Sequence, residues 1–138
     1  MTAKQERSLK KRLKKEADLR FHKACLKMWG DVCFFHKHPK QAKGHVKKVK
    51  YSHHFLPKSI YGWLRYCLLI GVPICWACHY KLEQGGDKSM NDEIIKIRGM
   101  QWFNKIQELS NDRKTSFESI DWYREQIRLL DEYLSGEN

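Results

Sequence analysis

Hydrophobic residues recur at helical spacing over most of this 138-residue chain. Residues 4–28 carry a thin apolar stripe among lysines and arginines, which predicts one amphipathic helix that Gly30 ends. The same spacing predicts further helices from Cys75 to Gly85-Gly86, from a cap at Asn91 to Gly99, over residues 100–109, and after a polar break at residues 110–116 through Leu134. The chain is therefore expected to be mainly helical.

The middle of the chain follows a different pattern. Val46, Val49, Tyr51 and Phe55 are β-prone residues around His53-His54, so a short strand is expected there. Residues 59–70 begin with a serine cap and predict either a short buried helix or a turn followed by a strand. Pro73 has no N–H donor and makes a short extended lead into Cys75.

These elements predict an α+β chain with three parts. Residues 1–28 form a basic N-terminal arm, residues 29–110 the central domain, and residues 111–138 a C-terminal amphipathic helix. That last helix is acidic, so we expect it either to fold back on the basic helix or to pair two subunits in a homodimer.

Charge is distributed unevenly between the two ends. Residues 1–58 contain 17 Lys and Arg against 4 Asp and Glu, whereas residues 59–138 contain 10 against 12. Such an asymmetry favours a polyanionic partner, above all DNA, over a merely solubilising arm. The N-terminus resembles no secretory signal and no apolar run is long enough to cross a membrane, so an intracellular, cytoplasmic protein without a membrane partner is expected.

Five cysteines in a chain without an export signal indicate a metal site more than disulfides. Cys75-x-x-Cys78 has the spacing at which two thiolates bind one zinc ion. Cys33-x-x-His36 has the same spacing, and the two halves would complete a structural Cys3His zinc site. Cys25 and His38 are competing ligands, although Cys25 is more simply a buried helix residue, and His45, among lysines, is more simply a surface residue.

Three histidines suggest a second, more labile metal site. Adjacent side chains on a strand face opposite ways, so His53 and His54 are expected to have different tasks. One imidazole can bind a divalent ion together with His79 while its neighbour activates water for attack on a phosphate. The ion would stabilise the leaving 3′-oxygen.

The series Cys33-x-x-His36, His53-His54-Phe55, Leu64-Arg65-Tyr66 and Gly71-Val72-Pro73-Ile74-Cys75-x-x-Cys78-His79 resembles the HNH (ββα-metal) endonucleases over residues 25–110. More narrowly, it is similar to the zinc-knuckle forms among bacteriophage recombination endonucleases of the NinG type. The resemblance implies a small ββα-metal core with a structural zinc knuckle. It also implies His53 and His79 as ligands of Mg²⁺ or Mn²⁺, His54 as general base, Arg65 as a phosphate contact, and branched or recombining phage DNA as substrate.

The sequence departs from that family at two positions. Where the family usually has an asparagine that fixes the base, this chain has Ile70, so either another group orients His54 or activity is reduced or lost. His36 stands in place of a knuckle cysteine. The alternative to an endonuclease is therefore a catalytically inactive, zinc-stabilised nucleic-acid-binding module.

Overall fold

A computed structural model describes residues 1–38, 44–84 and 88–136, and the structural statements below concern these residues. They contain α-helices and one two-stranded antiparallel sheet, so the predicted α+β class is confirmed. In chain order the elements are α1 (Ala3–Trp29), α2 (Phe34–Lys37), β1 (Ser52–His54), β2 (Gly71–Pro73), α3 (Trp76–Glu83), α4 (Lys88–Arg98), α5 (Met100–Asn111) and α6 (Ile120–Ser135). Within the described ranges, no helix combines the length and the apolar character that crossing a membrane requires.

The basic N-terminal segment forms the helix α1 at nearly the predicted bounds. A capping box between Thr2 and Gln5 satisfies its first backbone N–H groups, and Gly30, at φ 92°, ends it. One face of α1 is buried and packs on the rest of the protein. The residues of that face are Leu13, Ala17, Phe21, Ala24 and Cys25.

Helix α6 packs along α1 at the same buried face. Tyr123 and Leu130 of α6 lie in the cluster that also contains Phe21. Arg20 donates a hydrogen bond to Asp131 at 2.7 Å, and the Lys27 ammonium donates to the carbonyl of Tyr133 at 2.6 Å. The expectation that the acidic helix folds back on the basic one is confirmed.

The sheet is only three residue pairs long. His53 lies opposite Val72, with Ser52 opposite Pro73 and His54 opposite Gly71. Helix α3 follows β2 after two residues, so strand, strand and helix succeed one another. A core of Cys33, Phe35, Val72, Met90 and Ile94 packs beneath this unit.

Residues 59–70 differ from both expectations for that segment. They form two 3₁₀ turns, Gly62–Leu64 and Leu68–Ile70, which lead directly into β2. Ser59 caps no helix, because the N–H groups of Ile60 and Tyr61 bond to the carbonyl of Pro57 instead. Tight turns of this kind bring the backbone carbonyls of residues 65, 68 and 69 toward neighbouring side chains.

The expected helix start at Asn91 is wrong. Helix α4 already includes Lys88, and Asn91 lies exposed within it. The predicted stop at Gly85-Gly86 lies outside the described residues. The predicted break at Gly99 is confirmed: it has φ 94° and separates α4 from α5.

Gly71 gives a test of packing between α1 and the sheet. A Cβ atom at Gly71 would overlap Cys25 Sγ, although the backbone there has an ordinary negative φ. We therefore expect Gly71→Ala to lower the free energy of unfolding by about 1–3 kcal/mol in urea denaturation. The loss should be smaller in a Cys25→Ala background, from which the sulfur is gone.

Gly136→Ala is the matched control, because its Cβ would meet only ordinary contacts at 3.5 Å. An equal effect of Gly71→Ala with and without Cys25 would contradict the close packing described here.

Candidate functional site

Three cysteines and one histidine converge beside the sheet. Cys33 precedes α2, Cys75 is the N-cap of α3, and Cys78 lies in the first turn of α3. His45, from the loop before β1, is the fourth member. The four potential ligand atoms all lie within 4.8 Å of one another.

The distances within this cluster fit a tetrahedral zinc site. His45 Nδ1 lies 3.7 Å from Cys33 Sγ, 3.5 Å from Cys75 Sγ and 3.3 Å from Cys78 Sγ. Cys33 Sγ and Cys78 Sγ are 3.9 Å apart. A tetrahedron with Zn–S bonds of about 2.3 Å and a Zn–N bond of about 2.0 Å has edges of about 3.5–3.8 Å. The cluster can therefore hold a metal ion such as zinc.

Backbone amides around the cluster favour thiolates. Burial raises the pKa of Cys33, but the N–H of Cys75 donates to its sulfur at 3.3 Å and opposes that effect. At Cys75, burial also acts to raise the pKa, but hydrogen bonds from the amides of Val46 and Cys78 outweigh it and lower the pKa. Thiolates are the form that binds zinc.

The fourth member corrects the predicted ligand set. His36 was expected to complete the site, but it lies exposed on the short α2, and its ring stacks on that of His45 with centroids 5.3 Å apart. The preference for His45 as a surface residue is also corrected. Cys25 and His38 are not in the cluster, and Cys25 is buried as expected. Gly44, at φ 81° just before His45, was the one local sign of a turn there.

His53 and His79 come together next to the cysteine cluster. His53 projects from β1 and His79 from α3, one residue after Cys78, with ring centroids 5.2 Å apart. Burial, with smaller effects from the charges of His79 and His54, lowers the pKa of His53 to about 3. His79 Nε2 lies 3.0 Å from a carboxylate oxygen of Glu83. Two imidazole rings at this separation can share one divalent ion through ring nitrogens that carry no proton.

His54 faces the other side of the strand, as the alternation predicted. Its Nε2 lies 2.9 Å from the carbonyl oxygen of Arg65, and its ring stacks on Phe21 at 4.6 Å between centroids. A carbonyl only accepts hydrogen bonds, so Nε2 carries the proton and Nδ1 keeps its lone pair. Burial, only partly opposed by that bond, lowers the pKa of His54 to about 4.

Arg65 is held in a bidentate ion pair. Its Nε and Nη2 donate to the two carboxylate oxygens of Asp18 at 2.8 and 2.9 Å. This pair raises the pKa of Arg65, and at Asp18 it outweighs burial and lowers the pKa of the carboxyl. The guanidinium thus lies on α1 with its charge paired to Asp18, and the Arg65 backbone, not its side chain, contacts His54.

Sequence reasoning missed the part that α1 contributes to this region. Ser52 N–H donates to His22 Nδ1 at 3.1 Å, which fixes the start of β1 against the helix. The His22 ring lies 6.5 Å from that of His54. Asp18 and His22 are four residues apart, on the apolar face that holds Phe21. An acid and a histidine on the packed face of a lysine-rich helix were the available signal.

No match was found among protein-family models, curated proteins or solved structures. The features that bear on function are therefore the cysteine cluster and the histidines His22, His53, His54 and His79.

Exchange of single histidines tests the metal cluster. Because His45 Nδ1 faces all three sulfurs, His45→Ala should weaken zinc retention by about tenfold or more, since even an outer partner of a ligand is worth 10–100-fold. His36→Ala should keep the zinc content of the wild type. Zinc is measured by mass spectrometry after dialysis against a graded chelator. Loss of zinc in His36→Ala, with retention in His45→Ala, would restore His36 as ligand.

Proposed function

We propose that the protein is a metal-dependent DNA endonuclease, with His54 as general base and His53 and His79 as ligands of the divalent ion. The observation that carries the proposal is that His53, from β1, and His79, from α3, come together. The ring centroids of His53 and His79 lie 5.2 Å apart. His54, the next residue along β1, is oriented by the backbone carbonyl of Arg65. The order of β1, β2 and α3 agrees with the ββα arrangement that the sequence resemblance implies.

The bond from His54 to the Arg65 carbonyl supports a role for His54 as base despite Ile70. A general base must be neutral, held in one tautomer and accessible at its free nitrogen. The Arg65 carbonyl orients the His54 ring, the task that an asparagine has in the family, and burial lowers the pKa of His54, so the ring is neutral at physiological pH. The side chain of Ile70 is fully buried with Leu64 and Ile106, so it has a packing role.

The ligand pair also bears on the choice of ion. An ion bound at His53 and His79 would stabilise negative charge on the phosphate and on the leaving oxygen. Imidazole nitrogens suit transition metals better than Mg²⁺, which prefers oxygen ligands. We therefore expect Mn²⁺ to support cleavage better than Mg²⁺.

An exposed lysine near the histidines supports the approach of DNA to this region. The positive charge of Lys58 lowers the pKa of both His22 and His54, so its ammonium lies within electrostatic range of the two rings. Lys58 is exposed, unlike Arg65, whose side chain is only 15% exposed and paired with Asp18. Lys58 is therefore a better phosphate contact than Arg65. A preference for branched or recombining phage DNA comes from the sequence resemblance alone.

Removal of the proposed base gives the main test. His54→Ala should lower the rate of plasmid nicking with Mn²⁺ by about 10²–10⁴-fold, the usual contribution of a general base, while zinc content is retained. His36→Ala is the matched control and should cut like the wild type. Unchanged cutting by His54→Ala would remove His54 as the base, and absence of cutting by the wild type with either Mn²⁺ or Mg²⁺ would remove the nuclease proposal.

Lys58 gives a second, separable test. Lys58→Ala should weaken DNA binding because one phosphate contact is lost. The slope of log affinity against log salt concentration should become shallower by about one. Fluorescence anisotropy across a salt series measures both quantities. Lys114→Ala, an exposed lysine that pairs with Asp112, is the control. Equal effects of the two substitutions would show that Lys58 has no special contact.

A second candidate is a zinc-stabilised nucleic-acid-binding module without catalysis. It is favoured by the engagement of two predicted active-site groups within the protein: Arg65 with Asp18, and His79 with Glu83. This candidate requires salt-sensitive DNA binding that is the same for wild type and His54→Ala, and no cleavage in any divalent ion.

A further inference from the structure

A half-open cavity of about 360 Å³ lies at the junction of α1, α2, α4 and α5. Its aromatic walls are Trp29, Phe34 and Trp102. Its polar groups include Arg98, Lys37 and His38. The described lining contains no Asp or Glu and shares no residue with the His53–His79 pair. The cavity is therefore a separate, positively charged feature of the protein.

Arg98 lies at this cavity, and no carboxylate in the described part of the chain pairs with it. Its guanidinium carbon lies 3.6 Å from the ring centroid of Trp29, 5.2 Å from that of Trp102 and 5.9 Å from that of Phe34. In the described part of the chain its hydrogen bonding is limited to one long contact of 3.5 Å, from Nη1 to the carbonyl of Leu69. A guanidinium has five N–H donors, so most of them are left for solvent or a ligand.

Burial disfavours the positive charge of Arg98 when no anion is bound beside it. Burial lowers the pKa of Arg98 to about 10, which means that the surroundings disfavour its charge, although it remains protonated at neutral pH. Aromatic faces compensate only part of the lost hydration. A bound anion would supply the missing charge and accept the unused N–H groups.

Two further basic residues border the same space. Lys37 Nζ approaches the end of α1, where a Cβ atom on Gly30 would lie 3.6 Å from it. The His38 ring lies 4.8 Å from that of Phe34, the ring that Arg98 also approaches. The guanidinium of Arg98 and the imidazole of His38 therefore both lie near Phe34, and the ammonium of Lys37 lies at the edge of the cavity.

We propose that this cavity is a binding site for a phosphate group, held by the fork of Arg98 with Lys37 and His38 at its edge. A planar guanidinium recognises phosphate oxygens in a bidentate manner, and a lysine adds a point charge. The volume is within the range of small-molecule sites, so it accommodates free phosphate or the phosphate of a nucleotide. The proposal does not depend on the nuclease function.

Calorimetric titration of the full, zinc-loaded chain in a buffer without phosphate tests the site. The ligands are inorganic phosphate, thymidine 5′-monophosphate and thymidine. Both phosphates should bind and thymidine should not. Tighter binding of the nucleotide identifies a nucleotide phosphate as the ligand, and equal binding identifies free phosphate.

Arg98→Met retains an unbranched side chain between the indole rings and should weaken phosphate binding by about 10–100-fold, as expected for lost hydrogen bonds to a charged group. Lys37→Ala, at an exposed position, should weaken it by a smaller factor and provides the test should Arg98→Met fail to fold. Lys96→Ala is the matched control, an exposed cation on the same helix outside the cavity.

Failure of the wild type to bind either phosphate would overturn the proposal. So would an effect of Lys96→Ala as large as that of Arg98→Met or Lys37→Ala. His54→Ala should bind phosphate like the wild type, so loss of cleavage and loss of this site are distinguishable.

Discussion

Convergence of Cys33, His45, Cys75 and Cys78 is the constraint on which the central part of the structure depends. A sheet of three residue pairs is too small to be stable alone. The cluster connects the start of α2, the loop before β1 and the start of α3. A metal ion held by these four residues would stabilise all three connections together. Because His79 follows Cys78 directly, the same constraint also fixes the position of His79 opposite His53.

Helix α1 supplies the other wall of the candidate site. Phe21 stacks on His54, Asp18 holds Arg65, and His22 accepts the N–H of Ser52 at the start of β1. Helix α6 packs on the same buried face of α1, with its own buried residues in the same hydrophobic cluster. The basic segment expected to be an arm is thus also a structural support for the histidines, and its lysines have a fixed position relative to them.

Local patterns predicted the elements but not the contacts between them. Helical spacing and caps predicted α1 and the break at Gly99, and the Cys-x-x-Cys spacing predicted half of the metal cluster. The choice between His36 and His45 could not be made from spacing, because it depends on how the loop returns to α3. The pair of Asp18 and Arg65 spans 47 residues, and only the packing of α1 on the 3₁₀ turns brings the two together. Residues 59–70 were ambiguous because their hydrogen bonds depend on the carbonyl of Pro57 and on side chains distant in sequence, such as Trp29 and Trp102.

Two half-buried arginines, Arg65 and Arg98, have different kinds of partner. Arg65 has a carboxylate partner, and its pKa is raised mainly by the hydrogen bonds to Asp18, so its charge is neutralised within the protein. Arg98 has aromatic neighbours instead, and burial lowers its pKa. Aromatic rings stabilise a cation without accepting its N–H groups in the guanidinium plane, so the fork of Arg98 keeps its capacity to bind an anion. The two arginines differ in their partners more than in their burial. Arg98 keeps N–H groups for a ligand, whereas Arg65 is held by Asp18 and its backbone carbonyl orients His54.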